Sequence, residues 1–385
     1  MVWNECGLVS ERTEFVRLAC VEGVNFSELC QRFGVSRKTG YKWRKRYQEE
    51  GDQAMSDRSR RPVSSPSKTA DEVEQQVLQI RDSHPAWGGR KIRKRMELLG
   101  VNELPSVSTV SAILNRHGRI LPAESAKRQP LIRFERDQPN ELWQVDFKGE
   151  FLMTGKSYCY PLTLLDDHSR FSLGIVACDN QKRLTVQEHF REVFGVYGLP
   201  EAIYVDNGNP WGGSHLMRHT RFTAWLMRHD VEVIHGRPHH PQGRGKLERF
   251  HRTLKLEALQ DRSLKSLTAA QSCFDEWRDV YNLLRPHEAL DLQTPSERYR
   301  VSDRRFTEKA GEFEYSDRYE VRRVNPVGQF SWRGSRYRIS EAFQDHPIGL
   351  SATETDGVWE VSCCRFVVAS LDERTGTITR HQPRG

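Results

Sequence analysis

The sequence lacks long apolar runs and paired cysteine motifs. Hydrophobic residues make up 37% of it and the mean hydropathy is −0.71, so no segment is apolar enough to form a transmembrane helix. The first fifteen residues have no apolar core of the kind that a secretion signal needs. The eight cysteines show no CxxC spacing, which argues against a zinc ribbon or a disulfide framework. These absences favour a soluble, cytoplasmic protein with reduced thiols.

Positive charge is concentrated in the first third of the chain. Residues 1–135 contain 24 Lys and Arg against 17 Asp and Glu, whereas the other 250 residues contain 35 of each kind. The 385 residues are enough for two to four domains. A basic front end on a charge-balanced body favours a region that binds nucleic acid, joined to domains with another role.

Residues 1–52 have the pattern of a helix-turn-helix domain. An amphipathic helix over 10–23 is followed by a short helix capped at Asn25, a tight turn at 34–36 and a third helix over 37–50. The third helix interleaves aromatic residues with six cations, Arg37, Lys38, Lys42, Arg44, Lys45 and Arg46. We expect the first three to approach the major groove of DNA and the others to contact phosphates. A basic helix that only faces solvent is the alternative.

A second three-helix unit of the same kind is predicted over residues 70–118, between linkers at 53–69 and 119–137. Its middle helix is basic, and the cations predicted to contact DNA are Arg90, Lys91 and Lys94. Two such units suit a protein that reads an extended DNA site.

Residues 138–300 change to a pattern of alternating strands and helices. The predicted strands are 142–151, 158–166, 171–178, 201–205 and 231–234, and the predicted helices are 183–196, about 216–229 and 246–260. Three leading strands followed by this alternation predict a multidomain α/β protein whose main domain is a mixed sheet.

Residues 313–385 are rich in short strands and turns, which predicts a small β-barrel of the SH3-like kind. Three of its cations lie beside aromatic residues: Arg333, Arg336 and Arg338. They could bind DNA or form the ordinary exposed face of a strand, and the pattern favours neither.

Two aspartates lie at the ends of predicted strands. Asp146 follows Val145 in ELWQVDFKGEF, and Asp206 ends a short apolar run before Asn207 and Gly208. An acid at the end of a strand, before a turn, lies at an edge of the sheet where ligands bind. Either residue alone could be an ordinary turn aspartate.

A third acid, Glu248, lies on a predicted helix after a loop rich in proline and glycine. Apolar residues at steps of three and four predict the buried face of this helix: Leu247, Phe250, Leu254 and Ala258. Glu248 shares another face with Arg252 and Lys255. The cations predicted to hold DNA phosphates near it are Lys246, Arg249, Arg252 and Lys255. A solvated helix with i,i+4 ion pairs is the alternative.

In these contexts Asp146, Asp206 and Glu248 resemble the acids of the DDE transposases of bacterial insertion sequences. LLDDHSRF at 164–171 and HGRPHHPQGRGKLERFHRTLK at 235–255 are similar to the same family. These enzymes belong to the retroviral-integrase superfamily and have an RNase H-like core. The His-His-Cys-Cys zinc module of retroviral integrases is not visible in this sequence.

The resemblance covers residues 12–374 and is strongest at 140–300. One departure is the gap of 41 residues between Asp206 and Glu248, which is longer than in the commonest members of the superfamily. We expect the extra residues to lie within 212–223, as a loop or an added helical turn.

The resemblance implies that Asp146, Asp206 and Glu248 are both catalytic residues and metal ligands. Three carboxylates without cysteine suit Mg²⁺ or Mn²⁺, and two ions are expected. Water would first free a 3′-hydroxyl at the end of the element, and that hydroxyl would then attack target DNA. The expected partners are duplex DNA of the terminal inverted repeats and of the target. A homodimer or larger oligomer on DNA, at the bacterial nucleoid, is expected.

Neighbouring acids and histidines are interpreted differently. Asp166 and Asp167, at the end of the second strand, are predicted to be structural. Four histidines lack the spacing of a helical zinc site and are predicted to touch phosphate or the leaving group: His168, His235, His239 and His240.

Two other functions stay open at this point. A repressor or a decayed transposase would use the helix-turn-helix units and would need no cluster of acids. A nuclease that cuts RNA–DNA hybrids would need no sequence-reading units.

Overall fold

A computed structural model describes residues 8–57, 69–120, 135–212, 219–236, 245–260 and 262–381 of this chain. The chain divides into two compact units, Met1–Lys68 and Thr69–Gly385. Each unit contains hydrophobic core of its own.

The first unit contains three helices: α1 (Leu8–Ala19), α2 (Phe26–Arg32) and α3 (Arg37–Glu50). A 3₁₀ turn (Gly51–Met55) follows. The side chains of Asn25 and Ser36 cap α2 and α3 by accepting hydrogen bonds from backbone N–H groups of the first turn. The helices enclose a core that includes Phe15, Leu29 and Trp43. The predicted helix-turn-helix arrangement is confirmed.

The close approach of α3 to the other two helices depends on Gly40. A Cβ atom at this position would lie 2.8 Å from Cys30 Sγ and 2.9 Å from Phe15 Cζ. Any larger residue would therefore push α3 away from α1 and α2.

The second unit begins with α4 (Asp71–Ser83), α5 (Gly89–Leu98) and α6 (Val107–Arg116). Trp87 and Ile92 lie in the core between these helices, and Val280 and Leu284 of the later chain pack against the same core. These three helices therefore pack directly against the α/β part of the chain.

The central sheet contains β1 (Leu142–Phe147), β2 (Phe151–Leu152), β3 (Tyr158–Asp166), β4 (Ser172–Cys178), β5 (Ala202–Val205) and β6 (Glu232–His235). Its order is β4-β3-β1-β5-β6, with β2 paired to the start of β3. β3 is antiparallel to β1 and β4, whereas β1, β5 and β6 are parallel. This is the predicted mixed α/β sheet.

Helices cover both faces of this sheet. The helices α7 (Arg183–Tyr197) and α8 (Arg221–Arg228) pack on one face, against side chains that include Trp143, Val145 and Leu164. The helices α9 (Gly245–Leu254) and α10 (Leu267–Asp279) pack on the other face, against Leu165 and Ile175. Because successive residues of a strand point to opposite faces, Leu164 and Leu165 belong to different layers.

Both α9 and α10 continue into a π-helical turn, at Lys255–Leu259 and Val280–Leu284 respectively. Glu257 and Arg285 join these regions through an ion pair of 3.2 Å whose two side chains are almost fully buried. The Trp277 indole also donates to Glu257, at 3.0 Å. A short helix, α11 (Pro295–Arg298), follows.

The C-terminal part contains β7 (Glu320–Arg323), β8 (Gln329–Trp332), β9 (Ser335–Arg338), β10 (Pro347–Ala352), β11 (Val358–Cys363), β12 (Phe366–Asp372) and β13 (Thr377–Arg380). Five of them form an antiparallel sheet in the order β13-β12-β11-β10-β7, and β8 and β9 form a separate hairpin. The described strands do not close into the predicted barrel. The core of this sheet instead includes Ala224 and Met227 of α8, so a helix helps to cover its face.

Within the described ranges, no helix is both long and apolar enough to cross a membrane. The cysteines of these ranges are free thiols, as the spacing predicts.

Candidate active site

Asp146 and Asp206 lie at the same level on neighbouring parallel strands. In the pairing of β1 with β5, Gln144 is opposite Tyr204, and each aspartate follows two residues later. Neighbouring strands are about 4.8 Å apart, so the two acids lie close together at one edge of the sheet. Backbone N–H groups hold both carboxylates: Phe147 donates to Asp146 Oδ1 and Gly208 donates to Asp206 Oδ1, each at 2.9 Å.

Successive side chains of a strand point to opposite faces of the sheet, and this alternation sets the direction of Asp146. Val145 belongs to the core that packs against α7 and α8, so the next residue of β1, Asp146, points to the face that α9 covers. Asp206 directly follows Val205 at the end of β5. Glu248 lies in the first turn of α9 and is exposed. The apolar residues predicted to bury this helix are all buried: Leu247, Phe250, Leu254 and Ala258. Asp146 and the helix that carries Glu248 thus lie on the same side of the sheet, and Asp206 follows the neighbouring strand.

A polar contact joins α9 to the strands beside Asp146. Thr163 is the register partner of Asp146, and its hydroxyl donates to the Asp146 carbonyl oxygen at 2.8 Å. His251 Nε2 lies 2.7 Å from the same hydroxyl. Since the hydroxyl has a single proton, the imidazole must be the donor here. Burial, with the nearby Lys148 as a second cause, lowers the pKa of His251 to about 4, so the ring is neutral at pH 7.

Asp166 and Asp167 form hydrogen bonds and an ion pair within the fold, which agrees with their predicted structural role. Asp166 is fully buried and accepts hydrogen bonds from the backbone N–H of Asn140 and from the N–H and hydroxyl of Ser169. Asp167 accepts from Gln144 at 2.7 Å and pairs with Lys246 at 2.5 Å. Lys246, one of the predicted DNA contacts, is therefore engaged in a buried ion pair next to the site.

Among the residues that the structure describes, no three His, Cys, Asp or Glu side chains lie close enough together to hold a metal ion. The pair Asp146 and Asp206 nevertheless presents two hard oxygen donors on one face of the sheet, which suits Mg²⁺ or Mn²⁺. A divalent ion there would also offset the repulsion between neighbouring carboxylates.

Family models match most parts of this architecture. The match to an integrase core domain covers residues 136–241, and a second integrase core model covers 229–295. A helix-turn-helix domain covers 11–62 and a homeodomain-like domain covers 39–114. The C-terminal domain of IS481 family transposases covers 319–379.

Two bacterial relatives agree with these matches. An uncharacterized 39.2 kDa protein of insertion element IS476 from Xanthomonas euvesicatoria is 25% identical over 241 residues, 61% of this chain and 66% of that protein. An uncharacterized 31.7 kDa protein of insertion element IS407 from Burkholderia multivorans is 27% identical over 191 residues, 48% of this chain and 66% of that protein. The chain belongs to the insertion-sequence transposases of the integrase superfamily. It spans just under two thirds of the length of these two relatives.

Two solved structures of integrases align with parts of this chain. The catalytic core domain of HTLV-2 integrase in complex with magnesium is 16% identical, with a TM-score of 0.33, and the match covers 43% of this chain and 99% of that one. A simian T-cell lymphotropic virus intasome in complex with a PP2A regulatory subunit is 12% identical, with a TM-score of 0.37, and the match covers 79% and 98%.

The transposase presents its predicted DNA-binding cations unevenly along α3. Four of them are exposed: Arg37, Lys38, Lys42 and Lys45. The guanidinium groups of Arg44 and Arg46 lie over the rings of Phe26 and Trp43, at 5.8 Å and 5.0 Å from the ring centroids. Lys38, Lys42 and Lys45 form a stripe along one face of α3, since they are four and three residues apart, and Arg37 lies beside its start.

The predicted DNA-binding cations of α5 also differ: one is exposed, and the other two lie close to charged or titratable groups of the chain. Arg90 is exposed. Lys94 pairs with Glu97 at 3.2 Å, and Lys91 lies near enough to His287 to add to the effects of burial and of Arg285, which keep the pKa of His287 far below its ordinary value. Lys94 is thus partly neutralised within the chain, and Lys91 lies close to His287.

Two of the four histidines can be placed. His168 Nδ1 lies 2.8 Å from the carbonyl oxygen of Arg136, and His235 Nδ1 lies 3.0 Å from that of Asp206. His239 and His240 lie outside the described residues, as does the middle of the stretch at 212–223.

In the C-terminal sheet, Arg333 and Arg338 form ion pairs with Glu373 and Glu341. The indole groups of Trp332 and Trp359 also donate to Glu373. Much of the charge on the predicted aromatic and basic cluster is therefore balanced within the domain.

The sequence interpretation did not single out Lys148, Thr163 or His251. Lys148 follows Asp146 by two residues, and His251 follows Glu248 by three. Spacing from the two acids could have identified Lys148 and His251 as neighbours of the site. Thr163 is found only through the pairing of β1 with β3.

Proposed function

We propose that this chain is a DNA transposase that cleaves the ends of an insertion sequence and joins the freed 3′-hydroxyl to target DNA. The observation that supports the proposal is that Asp146 and Asp206 lie at one level, at the ends of two parallel strands, and that α9, which carries Glu248, packs on this sheet. A protein that only binds DNA has no use for three acids on the surface that meets a polyanion.

In this proposal the three carboxylates of Asp146, Asp206 and Glu248 hold divalent cations, Mg²⁺ or Mn²⁺. Such ions stabilise negative charge on the attacking and leaving oxygens of an in-line displacement at phosphorus. Phe147 N–H and Gly208 N–H orient the two aspartates, and His251 and Thr163 fix the helix of the third acid. Arg249, Arg252 and Lys255, all on or directly after α9, hold the phosphodiester backbone beside Glu248.

Recognition of the element's ends is assigned to the helix-turn-helix units. The exposed stripe on α3, with Arg37, Lys38 and Lys42, enters the major groove, and Arg90 adds a phosphate contact. Joining two ends requires two active sites, so the transposase acts as a homodimer or a larger assembly on terminal repeats and target DNA.

Strand transfer in vitro tests this proposal. The purified chain is incubated with Mg²⁺ or Mn²⁺ and a labelled duplex that carries the end of the element that encodes it. We expect joined product from the wild type and none from Asp146→Asn, while both bind the duplex equally. Asp179→Asn, at an exposed acid just after β4, is the matched control and should keep full activity.

Three results would contradict the proposal. Cleavage by Asp146→Asn at the wild-type rate would remove Asp146 from the reaction. Tight, specific binding by the wild type with no cut strand in either metal would favour the repressor instead. Cutting of an RNA–DNA hybrid that lacks the element's end would favour the nuclease.

A further inference from the structure

A groove of about 470 Å³ opens where β1, β2 and the π-helical turn after α9 come together. Its walls include Lys148, Phe151, Leu152, Lys255, Leu259 and Arg262. The volume lies in the range of sites that hold small organic groups. Of the cations already assigned to DNA, Lys255 lines this groove, whereas the helix-turn-helix cations do not.

The groove is basic. Lys148, Lys255 and Arg262 all line it, and no acid is among its described lining residues. In the described part of the chain, neither lysine forms an ion pair within 4.0 Å, and the Arg262 guanidinium contacts the neutral Sγ of Cys273 at 3.2 Å. Three cations without a carboxylate partner are complementary to phosphate.

The groove is also next to the acids. Lys148 follows Asp146 by two residues, so it points to the same side of β1. Lys255 follows Glu248 by seven residues, which is about 10 Å along a helix and about three steps of a DNA strand. A strand held at the acids therefore needs about three nucleotides to reach Lys255 in the groove.

The walls between these cations include four apolar residues beside the polar Thr154, Gln260 and Ser263. Phe151, Leu259 and Leu264 are half-buried, and the side chain of Leu152 is 59% exposed. A duplex backbone offers only phosphates and sugars to such a surface, whereas an unpaired base offers a flat apolar face that packs on aromatic and aliphatic side chains.

From this combination we propose that the groove binds unpaired nucleotides of the DNA strand that is held at the acids. Lys148, Lys255 and Arg262 bind the phosphates, and Phe151 and Leu152 pack against a base. This inference rests on the proposed function, because it takes DNA to be held at Asp146, Asp206 and Glu248.

Fluorescence anisotropy with the full chain tests the inference without metal and without catalysis. The probes are a labelled blunt duplex and the same duplex with a short single-stranded thymidine extension, on either strand, in buffer with EDTA. We expect the wild type to bind one extended duplex about tenfold more tightly than the blunt one. The double variant Lys148→Gln with Arg262→Gln, and separately Leu152→Glu, should lose this preference. Lys309→Gln, an exposed cation elsewhere, should keep it.

Equal binding of blunt and extended DNA by the wild type would overturn the inference. A preference that persists in both groove variants would overturn it too, and so would an equal loss of affinity for both probes in the double variant. Leu152 is mostly exposed, so Leu152→Glu should fold. Thermal unfolding checks the folding of this variant and of the double variant. Asp146→Asn should keep the preference. A failure of the transposase proposal would appear only in strand transfer, and a failure of the groove only in this binding assay.

Discussion

His251 donates a hydrogen bond to Thr163 across 2.7 Å, and through this contact the helix that carries Glu248 is fixed to the strand that carries Asp146. The two residues are 88 positions apart in the chain. Apolar packing holds α9 against the sheet in general, but this bond is directional and sets its position along β3.

Replacing Thr163 with Val should remove this contact while keeping the shape of the side chain. We expect the free energy of unfolding to fall by about 1 kcal/mol. The kcat of strand transfer should fall by about 10- to 100-fold, because small misplacements of catalytic groups are costly, while DNA affinity stays unchanged. Thr163→Ser keeps the hydroxyl and should restore most of the rate. A wild-type kcat in Thr163→Val would show that the contact does not position Glu248.

Acidification should weaken the fold through His251. Burial lowers its pKa in the folded chain to about 4, whereas the unfolded chain takes up the proton near 6.5. Its contribution is therefore complete above pH 6.5 and is lost as the pH falls from 6.5 toward 4, by about 3 kcal/mol at most. Urea unfolding over this range should give a shallower pH dependence for His251→Gln than for the wild type. Equal slopes would contradict the prediction.

The buried pair Glu257 and Arg285 should be important for stability. Glu257→Gln leaves the Arg285 charge buried without its partner, and breaking such a pair costs about 3–5 kcal/mol. Glu320 and Arg322 form an exposed pair at 2.8 Å, so Glu320→Gln should cost less than about 1 kcal/mol. Urea unfolding compares the two variants. The prediction fails if both lose the same amount.

Gly40→Ala should disturb the helix-turn-helix unit. Its Cβ would approach Cys30 and Phe15 within 3 Å, and overpacking of this kind costs about 1–3 kcal/mol. The affinity of Gly40→Ala for DNA should fall as well, because α3 carries the predicted DNA contacts. Gly195 is also helical, in α7, but a Cβ there meets nothing within 4 Å, so Gly195→Ala should stabilise by about 0.5–1 kcal/mol. The two thermal unfolding curves should shift in opposite directions, and a parallel shift would contradict this explanation.

Local sequence patterns predicted most elements of the core. The bounds of β3, β4, α7 and β5 agree with the structure within one residue, because each has a clear period and ends at turn residues. The helix predicted over 246–260 is α-helical only in its first part and ends in a π-helical turn at Lys255–Leu259. Apolar residues at 254 and 258 fit a single turn of either helix type, so their spacing could not separate the two.

Pairings between distant segments could not be predicted in the same way. Closure of the C-terminal sheet depends on whether its two edge strands meet, and alternation along each strand is the same in a barrel and in an open sheet. The contact of His251 with Thr163 also depends on the strand order. A histidine beside an apolar face gives no local sign of its partner.

The three acids differ in how firmly the fold holds them. Asp146 lies in β1 and Asp206 directly follows β5, so the hydrogen bonds between these adjacent strands limit how far the two acids can separate. Glu248 belongs to a helix that rests on that sheet through side chains alone. Assembly of the proposed site therefore depends mainly on how α9 docks on the sheet, because this helix carries Glu248. In the proposed function, a ligand that tightens α9 against the strands would bring Glu248 toward the two aspartates and so raise activity.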